Sequence, residues 1–170
     1  MTETQTIAAQ LAAQGLSFRP INADDRGFLY DVYASSREEE LAVTGWDAAQ
    51  KQAFLTMQFN AQHTYYQEHY PQAAFLVILR AGQGIGRLYL DRRPEDLGII
   101  DIALLPEYRG QGIGTAILAA ILSEGQRLAV PVRIHVERFN PALRLYTRLG
   151  FRQIADQGVY YLMEKTPDAG

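Results

Sequence analysis

The chain has 170 residues, of which 48% are hydrophobic and 21% charged, the make-up of one globular domain large enough to bury a full core. Sixteen basic against nineteen acidic residues leave a net charge of −3, so nothing equips the chain to hold a nucleic-acid backbone. The absence of cysteine excludes disulfides, thiolate metal sites and a thiol nucleophile.

The N-terminus, MTETQTIAAQLAAQG, lacks the basic region of a secretory signal and reads as a helical extension over residues 1–16. No apolar run approaches the ~20 residues that span a bilayer, so a cytoplasmic protein with no membrane partner is expected. SFRPI at 17–21 is a short strand, and Asp24-Asp25 then cap a helix running to about residue 36. SSREEELAVTG, up to Trp46, reads as a loop in which Glu38, Glu39 and Glu40 either attract a cation or, as charge runs usually do, form a solvated face. A long helix is expected from about Asp47 to Tyr70, because Leu55, Phe59, Gln62 and Tyr66 recur at helical spacing and Pro71 ends it.

The period then changes. AAFLVILR and GIGRLYLD are strands joined by AGQG as a hairpin turn, and Leu97 to Leu105 (LGIIDIALL) is another strand. A helix over about 112–128, a strand at 132–136, a helix over about 141–149 and a closing hairpin of 151–155 with 159–165 follow. An antiparallel meander followed by strand–helix–strand predicts an α/β (α+β) fold: a mixed, mostly antiparallel sheet of six or seven strands flanked by helices.

GQGIG occurs twice, at 82–86 and 110–114. The first copy lies between two apolar strands, where turn glycines have a sufficient structural role. The second follows a strand and opens a helix, so its backbone N–H groups are left unpaired at the positive end of a helix dipole, ready for an anion. Gly112 and Gly114 leave room for close approach, Thr115 adds a hydroxyl and Arg109 a charge. No Lys-Ser/Thr follows the last glycine and no GxGxxG is completed, which excludes the P-loop and dinucleotide fingerprints.

LLPEYRGQGIGTAIL resembles the acetyl-coenzyme A motif of the GNAT superfamily of N-acetyltransferases, and NPALRLYTRLGF at 140–151 resembles the second motif of that family. The resemblance covers about residues 17 to 165. It implies one acetyltransferase domain over 1–170, with an acceptor-side half at 17–96, an acetyl-CoA-binding half at 97–165 and a tail at 166–170. It further implies an enzyme moving an acetyl group from acetyl-CoA, as co-substrate, to a small-molecule or peptide amine by direct attack in a ternary complex. A coenzyme-binding module without turnover is the alternative. Homodimers are common in the family, and the sequence leaves that state open.

The resemblance places the diphosphate on Arg109, Gly110, Gln111, Gly112, Ile113, Gly114 and Thr115, and the pantetheine arm along Ile102, Ala103 and Leu104 as an added strand. Tyr146 takes the position of the tyrosine that protonates the departing thiolate, and the alternative for it is a ring that fills core. Asn140 stands six residues before Tyr146, one short of the commoner spacing, which Phe139 occupies. It either touches the coenzyme loosely or serves as the cap of a helix that Pro141 begins.

An alkylammonium acceptor must lose its proton before attack, and three residues qualify as the base. Glu137, at the end of VRIHVE where parallel strands would separate, ranks first. Asp101 interrupts IIDIALL, where an arginine partner is the expected explanation. His135 shares a strand face with Glu137. His63 and His69 do not share a helix face, so no metal site is expected. Trp46, Tyr65, Tyr66 and Tyr70 either wall an acceptor pocket or fill core.

Overall fold

The structure is a computed structural model, which describes residue 7 and residues 9–169. The first six residues of the expected N-terminal extension, its eighth, and the last residue of the tail lie outside the described residues.

A short 3₁₀ turn, Ala12–Gln14, leads into β1 (Leu16–Pro20). Asn22 rather than the two aspartates starts the next segment: its side chain takes the Asp24 N–H, while Asp25 accepts from the Asn22 N–H in return. That capping box opens a 3₁₀ turn that passes into α1 (Arg26–Ser35). Within the expected loop lies a short helix, α2 (Glu38–Ala42), with Leu41 buried and the three glutamates exposed. A second capping box, Asp47 with Gln50, starts α3 (Ala48–His69). Leu55 and Phe59 on its inner face pack with Leu29 and Tyr33 of α1.

β2 (Ala74–Arg80) and β3 (Gln83–Arg92) form a hairpin around Ala81 and Gly82, both at positive φ (51° and 80°). That is the backbone of a two-residue turn matching strand twist. The first GQGIG is therefore mostly strand: Gly82 alone turns the chain. Gly86 answers to a different constraint, since a Cβ there would meet the Ala103 carbonyl at 2.2 Å.

β4 (Leu97–Leu104), α4 (Ile113–Leu128) and β5 (Val132–Glu137) make the one parallel crossover, followed by α5 (Leu143–Arg148), β6 (Arg152–Asp156) and β7 (Tyr160–Lys165). The seven strands run in the order β1-β2-β3-β4-β5-β7-β6, antiparallel except at β4/β5. α4 covers one face, where Ile117, Leu118 and Ile121 meet Leu88, Leu90, Ile99 and Ile134; α1 and α3 belong to a second, smaller cluster. Among the described residues no helix is long and apolar enough to cross a membrane.

Candidate active site

β4 and β5 are paired only over Leu97–Ile99 with Val132–Ile134. Beyond that point each strand keeps its outer neighbour and the two separate: β4 stays on β3 through Leu104, and β5 stays on β7 through Glu137. The result is a cleft in the middle of the sheet with an open strand edge on its β4 side. Leu105 donates to the Ile85 carbonyl, so the alternation of an antiparallel ladder turns the N–H and C=O groups of Leu104 and Ile102 away from β3, toward that edge. Ile102 and Leu104 send their side chains into the α4-side core, which leaves Asp101 to the opposite face.

At the end of β4 the chain makes a 3₁₀ turn, Pro106–Tyr108, and reaches the second GQGIG. Gly110 and Gly112 have φ of 72° and 82°, which explains a glycine at each. Gly114 has no positive φ, and nothing lies within 4 Å of a Cβ built on it. The fold does not ask for a glycine there; the open space over the start of α4 does suit an approaching ligand. No side chain caps α4 and no acidic residue sits in its first turn. The N–H groups of Gly110, Gln111 and Gly112 have no backbone acceptor among the described residues, and those of the first helical turn have none within the helix. This is a cradle of amide donors at the positive end of a helix, fitted to a diphosphate.

Residues 71–153 match the family model described as acetyltransferase (GNAT) domain. That stretch is similar to a GNAT acetyltransferase domain. An N-alpha-acetyltransferase from Sulfurisphaera tokodaii is 33% identical over 66 residues, covering 37% of this chain and 40% of that relative, so the match spans about two fifths of the curated relative's length. The fold is shared with the PaiA N-acetyltransferase of Thermoplasma acidophilum, crystallised with coenzyme A (TM-score 0.67, 18% identity, 89% of this chain and 98% of that one). It is shared as well with the ribosomal-protein-S18-alanine N-acetyltransferase of Escherichia coli (TM-score 0.61, 17% identity, 91% and 96%). Acetyl-CoA is the co-substrate of this family.

The fold places the candidate residues unequally. Tyr146 is buried at 6% exposure and meets Phe151 edge-on at 5.7 Å. Burial, and secondarily the Asp101 charge, push its hydroxyl up to about 12. Asp101 is ion-paired through Oδ2 to Arg87 at 2.7 Å, as its position in an apolar strand led one to expect; Oδ1 has no hydrogen-bond partner among the described residues. Arg87 is itself 3% exposed and donates to Gln62 Oε1 at 2.9 Å. Tyr66 lies in the same field, its pKa raised by burial and then by Asp101.

Glu137, by contrast, spends both oxygens on Arg37, at 3.0 and 3.4 Å, and Arg37 also holds Glu40. Both carboxylates are thus ion-paired, and of the two only Asp101 keeps an oxygen without a hydrogen-bond partner among the described residues. His135 is exposed on its strand. His63 stacks on Phe59 at 5.6 Å with its pKa lowered by burial and then by Arg26 and Arg87, and no metal-binding group of three ligands exists among the described residues.

Two expected coenzyme residues are engaged elsewhere. The Arg109 guanidinium does not stand over the loop: Nε donates to the Leu104 carbonyl (3.0 Å) and one terminal nitrogen to Ser35 Oγ (3.1 Å). Asn140 Oδ1 accepts the Ala142 N–H at 2.9 Å, closing a turn before α5, which begins at Leu143 rather than at Pro141 and has no side-chain cap, while Phe139 stands 94% exposed beside it. Of the aromatic residues, Trp46 packs edge-on against Phe54 at 5.2 Å, and Tyr65 stacks on His69 at 3.9 Å. Arg87, Gln62, Arg37 and Arg80 were not singled out by sequence. Each is an ordinary polar residue whose partner lies on another element.

Proposed function

We propose that this protein transfers an acetyl group from acetyl-CoA to a primary amine by direct attack in a ternary complex. The observation that carries the reading is the parting of β4 from β5 beside a run of unpaired loop amides. An open strand edge and an anion cradle lie end to end, as a long ligand with a diphosphate requires. Acetyl-CoA, when bound, supplies the acetyl group as a reactive thioester.

Gly110 to Thr115 would hold the diphosphate through their N–H groups, and the edge groups of Ile102 with the Leu104 N–H would align the pantetheine arm, the Leu104 carbonyl being taken by Arg109. Tyr146 keeps its proton throughout the neutral range because burial disfavours the phenolate, so its hydroxyl remains a donor for a departing thiolate. Asp101 Oδ1, unengaged and near enough for its charge to raise the Tyr146 pKa, would take the acceptor's N–H and receive its proton. Arg87 and Gln62 position that carboxylate. With no cysteine in the chain, attack on the thioester is direct rather than through an acyl-thiol. The name of the Sulfurisphaera relative makes an α-amine the first class of acceptor to try, ahead of small amines and aminoglycoside-like molecules. The reading sets the protein in the cytoplasm, with its co-substrate, as one domain whose N-terminal half serves the acceptor.

The test is thiol release from acetyl-CoA with a panel of peptides and small primary amines. Acetylated product from one amine, with stoichiometric thiol, supports the reading. Coenzyme binding without release for every amine favours the second reading, a coenzyme-binding module, to which the arginine partners of Asp101 and Glu137 lend support.

A further inference from the structure

The hairpin that carries the first GQGIG brings a charge to the second. Arg80 is the last residue of β2, paired with Gln83 across the Ala81-Gly82 turn, and its side chain is exposed. One terminal nitrogen donates to Gln111 Oε1 at 3.0 Å, while Gln111 Nε2 donates to the Glu107 carbonyl at 2.8 Å. Gln111 is thus held from both sides, with the guanidinium one side chain's length from the loop amides.

Arg80 has no carboxylate partner among the described residues, whereas Arg19, Arg37, Arg87, Arg93, Arg133 and Arg138 all have one. Its placement also runs against the helix dipole. A cation is disfavoured near a helix N-terminus, and α4 offers no acidic residue in its first turn to offset it. Arg109 is the other cation at this end and is likewise bonded to neutral acceptors. Glu107, in the turn before the loop, forms no ion pair with either arginine among the described residues, so both guanidinium groups are left to face an incoming anion.

We propose that Arg80 is a coenzyme-binding residue that faces the phosphate oxygens of acetyl-CoA, delivered to the loop by the β2–β3 hairpin. The inference rests on the coenzyme reading above. The hydrogen-bonded latch to Gln111 places it on the diphosphate rather than on the 3′-phosphate.

The experiment measures Kd for coenzyme A and for 3′-dephospho-coenzyme A with the wild-type protein, Arg80→Gln and Arg80→Lys, at low and high salt, with apo melting temperatures as the folding control. The expected result for Arg80→Gln is a loss of about tenfold for both ligands, with a shallower salt dependence, while Arg80→Lys keeps most of the affinity. A loss confined to coenzyme A would overturn the assignment to the diphosphate, because only a contact with the 3′-phosphate distinguishes the two ligands. Unchanged affinity in Arg80→Gln, or equal losses in Gln and Lys variants, would overturn the proposal while leaving the coenzyme reading intact. No binding of either ligand by the wild-type protein would overturn both.

Discussion

Gly114→Asp separates what the glycine loop does for the fold from what it does for a ligand. The position has no positive φ and nothing within 4 Å of a built Cβ, so the new side chain fits without displacing anything. A carboxylate in the first turn of a helix complements the dipole, which stabilises the apo protein by about 0.3–1 kcal/mol. The same charge would stand about 5 Å from each of two phosphate charges; at an effective dielectric of about 40, each pair costs about 1.7 kcal/mol, so about 3 kcal/mol together. That is a loss of about a hundredfold in affinity. Titration calorimetry with acetyl-CoA, beside thermal unfolding of the apo protein, reads both signs at once. An apo melting temperature at or above wild type with Kd weakened by about two decades is the expected outcome. Affinity within about threefold of wild type would refute the argument, because no bound diphosphate could ignore a carboxylate at the helix start.

Tyr146→Phe should lower kcat by about 10²–10⁴-fold with little change in coenzyme affinity; equal losses in both would argue that the ring, not the hydroxyl, matters. Gly86→Ala pushes a methyl against the Ala103 carbonyl at 2.2 Å and should cost about 1–3 kcal/mol in urea unfolding, with the loop amides untouched. Alkaline stability follows from the buried phenols. Tyr146 is raised to about 12 and Tyr66 is raised as well, against an ordinary value of 10.0, so the folded state retains protons that the unfolded chain sheds. Their contribution is complete below about pH 10 and is lost as pH rises toward 12 and beyond, at about 1.4 kcal/mol per pH unit per group. Urea midpoints measured from pH 9 to 11 should fall on that account, and a flat profile would contradict it.

The strand and helix order was legible because apolar period is a local property, and the single crossover followed from strand–helix–strand. The short helix Glu38–Ala42 was not legible, since five residues between Ser-Ser and Thr-Gly carry too little pattern to compete with loop composition. Asp101 stood out as an anomaly in an apolar strand, yet its partner could not be named. Tyr89 faces Asp101 across β3–β4 and Arg87 faces Ala103, so Arg87 reaches Asp101 on the diagonal, a register that only the pairing of the two strands fixes. Gly86 likewise looked like part of a turn, because the crowding that requires glycine comes from the neighbouring strand's carbonyl. The loop over 110–114 could be read as an anion cradle because its donors are backbone groups, fixed by sequence order. Arg80 could not, because its link to Gln111 depends on the packing of a hairpin 31 residues away in sequence.

The central claim is that the second GQGIG holds acetyl-CoA, and thermal unfolding with acetyl-CoA, ATP and NAD compared in parallel tests it most directly. At ~100 times its Kd a ligand stabilises the folded state by about 2.7 kcal/mol, a clear rise in melting temperature. A rise with acetyl-CoA, abolished by Gly114→Asp and absent with ATP and NAD, is the predicted result. No rise with acetyl-CoA, or equal rises with all three nucleotides, would contradict the assignment of this loop to the coenzyme.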